Sequence, residues 1–211
     1  MSQNNISNAV IRRLPRYYRY LGNLIDEGVE RISSGELSKK MNVTASQIRQ
    51  DLNNFGGFGQ QGYGYNVKYL YNEIGKILGL DNNHNIIIIG AGKLGQAIAN
   101  YSSFQKRGFL IKALFDNNPE IIGTSIMDLE VLSVDRLPDI LSNNDIDIAA
   151  ITAPKEAVKD IIDVIAKSKV RAVWNFSPMD LEVPKGIVVE NVHLLDSLMH
   201  LTYNLTEYDC K

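Results

Sequence analysis

Apolar side chains first recur at three- and four-residue spacing at Leu14, Tyr17, Tyr18, Leu21 and Leu24. That period predicts an amphipathic helix over residues 13–24, with Pro15 admissible in its first turn. A second helix is expected to open at Ser33 or Ser34, where Ser33 and Glu36 have capping-box spacing, with Leu37 and Met41 as its buried stripe. After a short turn at Asn42 and Val43, Thr44 is placed to cap a third helix over residues 45–53. Ala45, Ile48 and Leu52 face inward on it, and Ser46, Gln47, Arg49, Gln50 and Asn53 face outward. Residues 56–64 then hold five glycines flanked by aromatics, which predicts two short strands joined by a tight loop. Residues 67–78 read as a closing helix.

The pattern changes after the polar stretch 79–85. Ile86, Ile87, Ile88 and Ile89 form a continuous β-branched run, the mark of a strand buried on both faces. It leads directly into Gly90, Ala91, Gly92, Lys93, Leu94 and Gly95, followed by a helical pattern at Leu94, Ile98 and Tyr101. Further strands are expected at 110–115, 147–152, 172–174 and 183–192, with a helix over 155–169. Leu194, Leu198, Leu201 and Leu205 make one apolar stripe along residues 193–205. Such a helix packs either on its own domain or on a second subunit. The expected domains are 1–80, 81–192 and a terminal helix at 193–211.

Composition sharpens this division. The net charge of -2 combines ten Lys+Arg against six Asp+Glu in residues 1–80 with 12 against 18 in residues 81–211. Seven of the ten tyrosines precede residue 72. A basic, tyrosine-rich half beside an acidic half points to a polyanion-binding module joined to a different kind of domain. Cys210 is the single cysteine, which excludes a disulfide framework and a cysteine zinc site. No run of about 18 apolar residues is present, and Arg12, Arg13, Arg16 and Arg19 are followed by no signal-like apolar stretch. A cytosolic location is the expectation.

The chemistry of each half follows. Arg pairs with guanine, Gln with adenine, and Ser with a base or a phosphate, so the outward face of residues 45–53 suits a base-reading helix within a winged helix-turn-helix. The glycine-rich loop is its wing, whose backbone can approach phosphates closely. In the second half, a GxGxxG between strand and helix has the context of a Rossmann-like dinucleotide-binding domain. Gly90 makes the turn, Gly92 admits a pyrophosphate and Gly95 lets helix and strand pack. Asp116 follows Phe115 at the next strand end, 21 residues after Gly95, with no Arg behind it. It suits the ribose hydroxyls of NAD(H) rather than a 2′-phosphate. Thr152, Ala153 and Pro154, then Asn175, Phe176, Ser177 and Pro178, stand at later strand ends, where such sheets bind ligands.

An oxidoreductase needs a proton donor near the nicotinamide, and no His, Lys or Glu stands at those strand ends. His84, His193 and His200 lie elsewhere, and residues 193–211 are too few for a substrate domain. The expectation is therefore a cofactor that signals without turnover. A small NAD-dependent oxidoreductase with an N-terminal nucleic-acid-binding module is the alternative, and a constitutive architectural DNA-binding protein is a third possibility.

These motifs together resemble the Rex family of redox-sensing transcriptional repressors over nearly the whole chain. The carrying residues are Arg13, Leu14 and Pro15; Tyr17 to Leu21; Ile32 to Ser34 with Glu36 and Leu37; and Gln47, Ile48, Arg49, Asp51 and Leu52. Phe55, Gly56, Gly62, Tyr63, Gly64 and Tyr65 continue the match. Gly90 to Gly95, Tyr101, Phe115, Asp116, Asn175, Phe176, Pro178, Asn191 and Val192 complete it. The resemblance implies a homodimer on operator DNA that senses NADH against NAD+, releases DNA on binding NADH, and swaps its terminal helices. It assigns DNA contact to Arg12, Arg13, Arg16, Ser46, Gln47, Arg49, Gln50 and the wing. Cofactor contact falls on the strand-end residues above, Tyr101 included, and redox signalling on Arg19 and Tyr101. Two positions depart from the family pattern. His193 stands where an Asp is usual before the terminal helix, with Asp196 three residues on, and Gln50 stands where a basic residue is common.

Overall fold

The structure is a computed structural model that describes residues 6–60 and 62–209; Cys210 lies outside them. The chain divides into two compact units, Met1–Asn82 and Asn83–Lys211.

In the first unit, α1 (Asn8–Ile11) leads into α2 (Leu14–Asp26), whose Leu14, Tyr17, Leu21 and Leu24 are buried. After β1 (Arg31–Ile32), α3 (Ser34–Met41) opens on a complete capping box between Ser33 and Glu36. The Ser33 backbone N–H, then its hydroxyl, stabilises the Glu36 carboxylate and holds its pKa below the usual value. Asn42 closes α3 in the left-handed region at φ 53°, a conformation that Asn tolerates better than most residues. Thr44 caps α4 (Ala45–Asn53), accepting from the Gln47 N–H at 3.1 Å. Then follow β2 (Gly59–Gln60), β3 (Gly64–Asn66) and α5 (Val67–Ile77), whose N-terminus is capped by Asn66. The strands form an antiparallel sheet in the order β1-β3-β2. The stripes of α2, α3, α4 and α5 converge on one core. This is a winged helix-turn-helix with a third strand, β1, which at two residues is too short to show a period.

The second unit contains β4 (His84–Ile89), α6 (Lys93–Ala99), β5 (Phe109–Asp116), β6 (Ser125–Ile126) and β7 (Leu129–Ser133). It continues with α7 (Leu137–Asn143), β8 (Ile148–Ile151), α8 (Lys155–Ile165), β9 (Ala172–Asn175), β10 (Val188–Asn191) and α9 (Leu194–Asp209). The sheet order is β10-β9-β8-β4-β5-β7-β6, parallel except for the β6–β7 hairpin. β4 lies between β5 and β8, so the chain crosses from one side of the sheet to the other at its C-terminal end. In α/β sheets this switch point is where ligands bind. Apolar layers cover both faces, and all four Ile of β4 are buried between them.

Two sequence expectations differ from the fold. The last strand is only Val188–Asn191, because Pro184 and Gly186, at φ 105°, interrupt the ladder. The β6–β7 hairpin and α7 between Asp116 and residue 147 were not foreseen. Along α9, Leu194, Leu195, Leu198, Met199, Leu201, Tyr203, Leu205 and Tyr208 are all more than half exposed. Its apolar surface thus extends beyond the single stripe. Among the described residues, no helix is long and apolar enough to cross a membrane.

Candidate functional site

On the side of α4 and the wing, the first unit presents a groove of about 510 Å³ lined by Ser33, Ser34, Arg49, Asn53, Gly59, Gly62, Gly64 and Tyr65. The start of α3, the outer face of α4 and the wing therefore meet, as the sequence predicted for Arg49 and the wing. Arg49 donates to the Ser34 hydroxyl at 2.9 Å. Ser46 and Gln50 are exposed on the same helix. Gly64, at φ +70°, passes so close to β1 that a Cβ would lie 2.6 Å from the Ile32 carbonyl oxygen. Tyr63 projects from the wing, with Arg31 over its ring. Tyr65 is buried and anchors the wing rather than reaching outward; burial raises its pKa.

Three residues expected to contact DNA are engaged within the fold. Arg16 donates to the Met41 carbonyl at the end of α3. Arg13 and Gln47 both donate to Asp51, a buried carboxylate that the sequence reading left without a role. Asp51 falls on the buried stripe between Ile48 and Leu52, and that misplaced charge was the signal available in the sequence. Burial opposes its ionisation, yet the hydrogen bonds from Arg13, Gln47 and Tyr17 prevail and hold its pKa below the ordinary value. The same contact raises that of Arg13. Burial, then the bond to Asp51, pushes the Tyr17 hydroxyl well above its usual range.

In the second unit, the C-terminal ends of the strands enclose a cleft of about 760 Å³. It is lined by Gly90, Gly92, Asp116, Thr152, Ala153 and Pro154, so six of the expected cofactor residues share one wall. Ile121, Val134, Leu137, Pro138, Ala157, Ile161 and Val164 supply an apolar slot. No sequence motif marks these, because they come from three separate segments, at 121, 134–138 and 157–164. Asp135 and Asp160 add two carboxylates to Asp116, and no Lys, Arg or His is among the lining residues.

The loop is built for close backbone approach. A Cβ on Gly95 would lie 2.0 Å from the Gly90 carbonyl oxygen, and one on Gly90, at φ +106°, would meet Thr152 at 2.8 Å. A Cβ on Gly92 would meet nothing within 4 Å, leaving that backbone open to a ligand. The Asp116 carboxylate accepts the Ala91 N–H at 2.7 Å and the Asn118 N–H at 2.8 Å. The Thr152 hydroxyl donates to the Gly90 carbonyl at 2.6 Å. Ala91 itself is buried, while Lys93 and Leu94 begin α6 beside the loop. The donor set fits a dinucleotide: open amides, an acid at the strand end and an apolar slot.

Other expected cofactor residues sit differently. The Phe115 side chain is fully buried in the core, and only its backbone faces the loop, accepting the Gly90 N–H. Asn175 and Ser177 are fully buried in a polar knot. Asn175 donates to the Met179 carbonyl and to Asn191, and accepts from the backbone and hydroxyl of Ser177. They shape the strand end with no side-chain atom free for a ligand. Phe176 packs edge-on to Trp174 at 4.5 Å. Tyr101 is 58% exposed, its ring 4.9 Å from Phe104. His193 bonds Asp180 at 3.1 Å, Asp196 is exposed in the first turn of α9, and Arg19 lies over the Tyr20 ring. The structure therefore does not join His193 or Asp196 to Tyr101 by any hydrogen bond described.

Both units have counterparts among known proteins. Residues 5–53 match the family described as "Putative DNA-binding protein N-terminus", and residues 81–179 match "CoA binding domain". The redox-sensing transcriptional repressor Rex of Clostridioides difficile (strain 630) is 59% identical, with 98% of this chain and 99% of that protein covered. The protein of the same name from Thermoanaerobacter pseudethanolicus is 57% identical, over 97% of this chain and 92% of its own. A crystal structure of RSP in complex with beta-NAD+ and operator DNA superposes at a TM-score of 0.91, with 57% identity, covering 97% of this chain and 94% of that one. RSP in complex with beta-NADH also gives 0.91, with 53% identity and 99% and 98% coverage. A winged reading head and a dinucleotide cleft on one chain, shared with these proteins almost end to end, show that this chain belongs to the Rex family of redox-sensing transcriptional repressors.

Proposed function

We propose that the chain is a homodimeric transcriptional repressor that binds operator DNA and releases it when NADH occupies the cleft of the second unit. The observation that carries this is the pairing on one chain of an exposed, capped recognition helix with a glycine-built cleft ending in Asp116. The relatives are named as repressors rather than enzymes, and RSP has been crystallised with operator DNA and with both redox forms of NAD.

Ser46, Arg49 and Gln50 read base edges, and the wing at Gly62, Tyr63 and Gly64 follows the phosphates, with Arg12 adding positive charge nearby. Gln50, in place of a cation, supplies a hydrogen bond without a phosphate charge. The open backbone at Gly92 and the start of α6 faces the pyrophosphate, Asp116 takes the ribose hydroxyls, and the apolar slot takes adenine. Three lining carboxylates without a lining cation repel a 2′-phosphate, which favours NAD(H) over NADP(H). Tyr101 and the segment 175–178 border the nicotinamide, and Arg19, Tyr101, His193 and Asp196 carry the signal between units.

Because α9 is apolar on more than one side and exposed, it needs a partner surface. We assign that surface to the second subunit, with the helices swapped. The site of action is the cytoplasm.

NAD+ differs from NADH by one positive charge on the ring. An apolar ring site without an anion disfavours that cation. If NADH prefers a dimer state that DNA does not, each ligand lowers the other's affinity by the same factor. Fluorescence anisotropy of a labelled palindromic duplex bound to the protein tests this at fixed salt. NADH is expected to release the duplex while NAD+ leaves it bound. Tight binding indifferent to both would overturn the sensing role.

A further inference from the structure

We propose that Asp51 is a positioning residue for operator recognition: a buried clamp that seats α4 on α2 and holds Arg13 and Gln47 back from the DNA. This rests on the operator-binding reading above.

Asp51 is fully buried. Arg13 grips its carboxylate with two donors, at 2.6 and 2.8 Å; the Tyr17 hydroxyl donates at 2.9 Å and the Gln47 amide at 2.7 Å. A carboxylate only accepts, so the Gln47 atom facing it is its NH2, which fixes the orientation of the amide. Adenine recognition by Gln uses both its amide donor and its acceptor in one plane, and here one of the two amide N–H groups is held by Asp51, which turns that plane inward. Arg13 likewise spends its bidentate face on Asp51 and not on a phosphate.

The position is one where an aliphatic residue would satisfy burial alone, since Ile48 and Leu52 beside it are core residues. A buried ion pair contributes little net stability compared with apolar packing, but it demands one geometry. Arg16, on the same helix α2, ties down the end of α3 through the Met41 carbonyl. Both helices of the helix-turn-helix are thus referenced to α2 by directional polar contacts. The bases are then left to Ser46, Arg49 and Gln50.

The full-length chain is allowed to enrich sequences from a randomised duplex pool, and the enriched duplex becomes the probe for variants across a salt series. Asp51→Asn keeps shape and removes charge. It is expected to lose about tenfold or more in discrimination between enriched and random duplex, the size of one or more lost base contacts, while still binding random duplex. Arg13→Gln is expected to lose discrimination with an unchanged salt slope, since a cation on a phosphate would lower the slope by about one per subunit when removed. Full discrimination in Asp51→Asn overturns the clamp. So does a salt slope that falls by about one per subunit in Arg13→Gln. Should Asp51→Asn fail to fold, Tyr17→Phe decides. Tyr17 is fully buried and removes one bond from Asp51 without any path to DNA. A smaller loss of discrimination is expected, and none would overturn the clamp. A wild-type chain that enriches no sequence overturns the operator reading itself, an outcome distinct from failure of the clamp, which leaves wild-type enrichment intact.

Discussion

The two units hold their functional parts by opposite means. Helix α4 is held by side chains: a threonine cap at its start and a buried carboxylate gripped by Arg13, Tyr17 and Gln47. The dinucleotide loop is shaped first by missing side chains, with Gly90 and Gly95 in contact where no Cβ fits, and the Asp116 carboxylate and Thr152 hydroxyl then bond its backbone. A helix that must present side chains to a duplex needs a fixed rotation about its own axis, which directional polar contacts supply. A loop that must receive phosphates on its amides needs absence of side chains, which glycine supplies.

The contrast is broken most severely at Gly95. Gly95→Val places a methyl group into the Gly90 carbonyl, so the second unit is expected to lose at least about 3 kcal/mol, the upper range for overpacking. NADH binding, followed by nicotinamide fluorescence, is expected to vanish, while the first unit keeps its own melting transition. A smaller effect is expected at Asp116. Asp116→Ala removes the acceptor for Ala91 and the ribose acceptor proposed above, and NADH affinity measured by calorimetry is expected to fall about tenfold, or about 1.4 kcal/mol. Discrimination against NADPH should fall with it, only partly, because Asp135 and Asp160 still line the cleft. An unchanged ratio would remove Asp116 from the ribose site.

On the side-chain-built unit, Ser33→Ala deletes the capping box of α3 and is expected to cost about 1 kcal/mol, read as a lower first transition with NADH binding intact. The mildest perturbation is acid. The folded Asp51 carboxyl has its pKa below the usual value, so its charged contacts contribute stability above the unfolded pKa of about 3.9. That contribution is lost as pH falls through the folded value. Scanning calorimetry from neutral pH to below pH 4 should show the first unit losing stability, and Asp51→Asn should flatten this dependence.

Much of this was legible locally. Ser33 with Glu36, Thr44, the stripes of α2 and α5, and the Ile run ending in GxGxxG each encode an element through neighbouring residues alone. The acid at 116 was legible because a strand end and a glycine loop fix its neighbourhood. Phe115, Asn175, Ser177 and Tyr65 were legible as positions but not as roles. Their distance along the chain from a motif says nothing about which way the side chain turns, and all four turn inward.

The sequence by itself determined the class of each half, because helix caps, hydrophobic periods and glycine requirements act over a few residues. The tertiary structure alone decided what Arg13, Gln47 and Asp51 do. Arg13 and Asp51 are 38 residues apart in the chain, and only packing α4 on α2 makes the buried carboxylate claim the two side chains. The apolar slot of the cleft was decided in the same way, since it is assembled from the turn at Ile121, the start of α7 and α8, brought together by the order of the sheet. A contact between distant segments depends on long-range packing, and no local pattern in the chain encodes it.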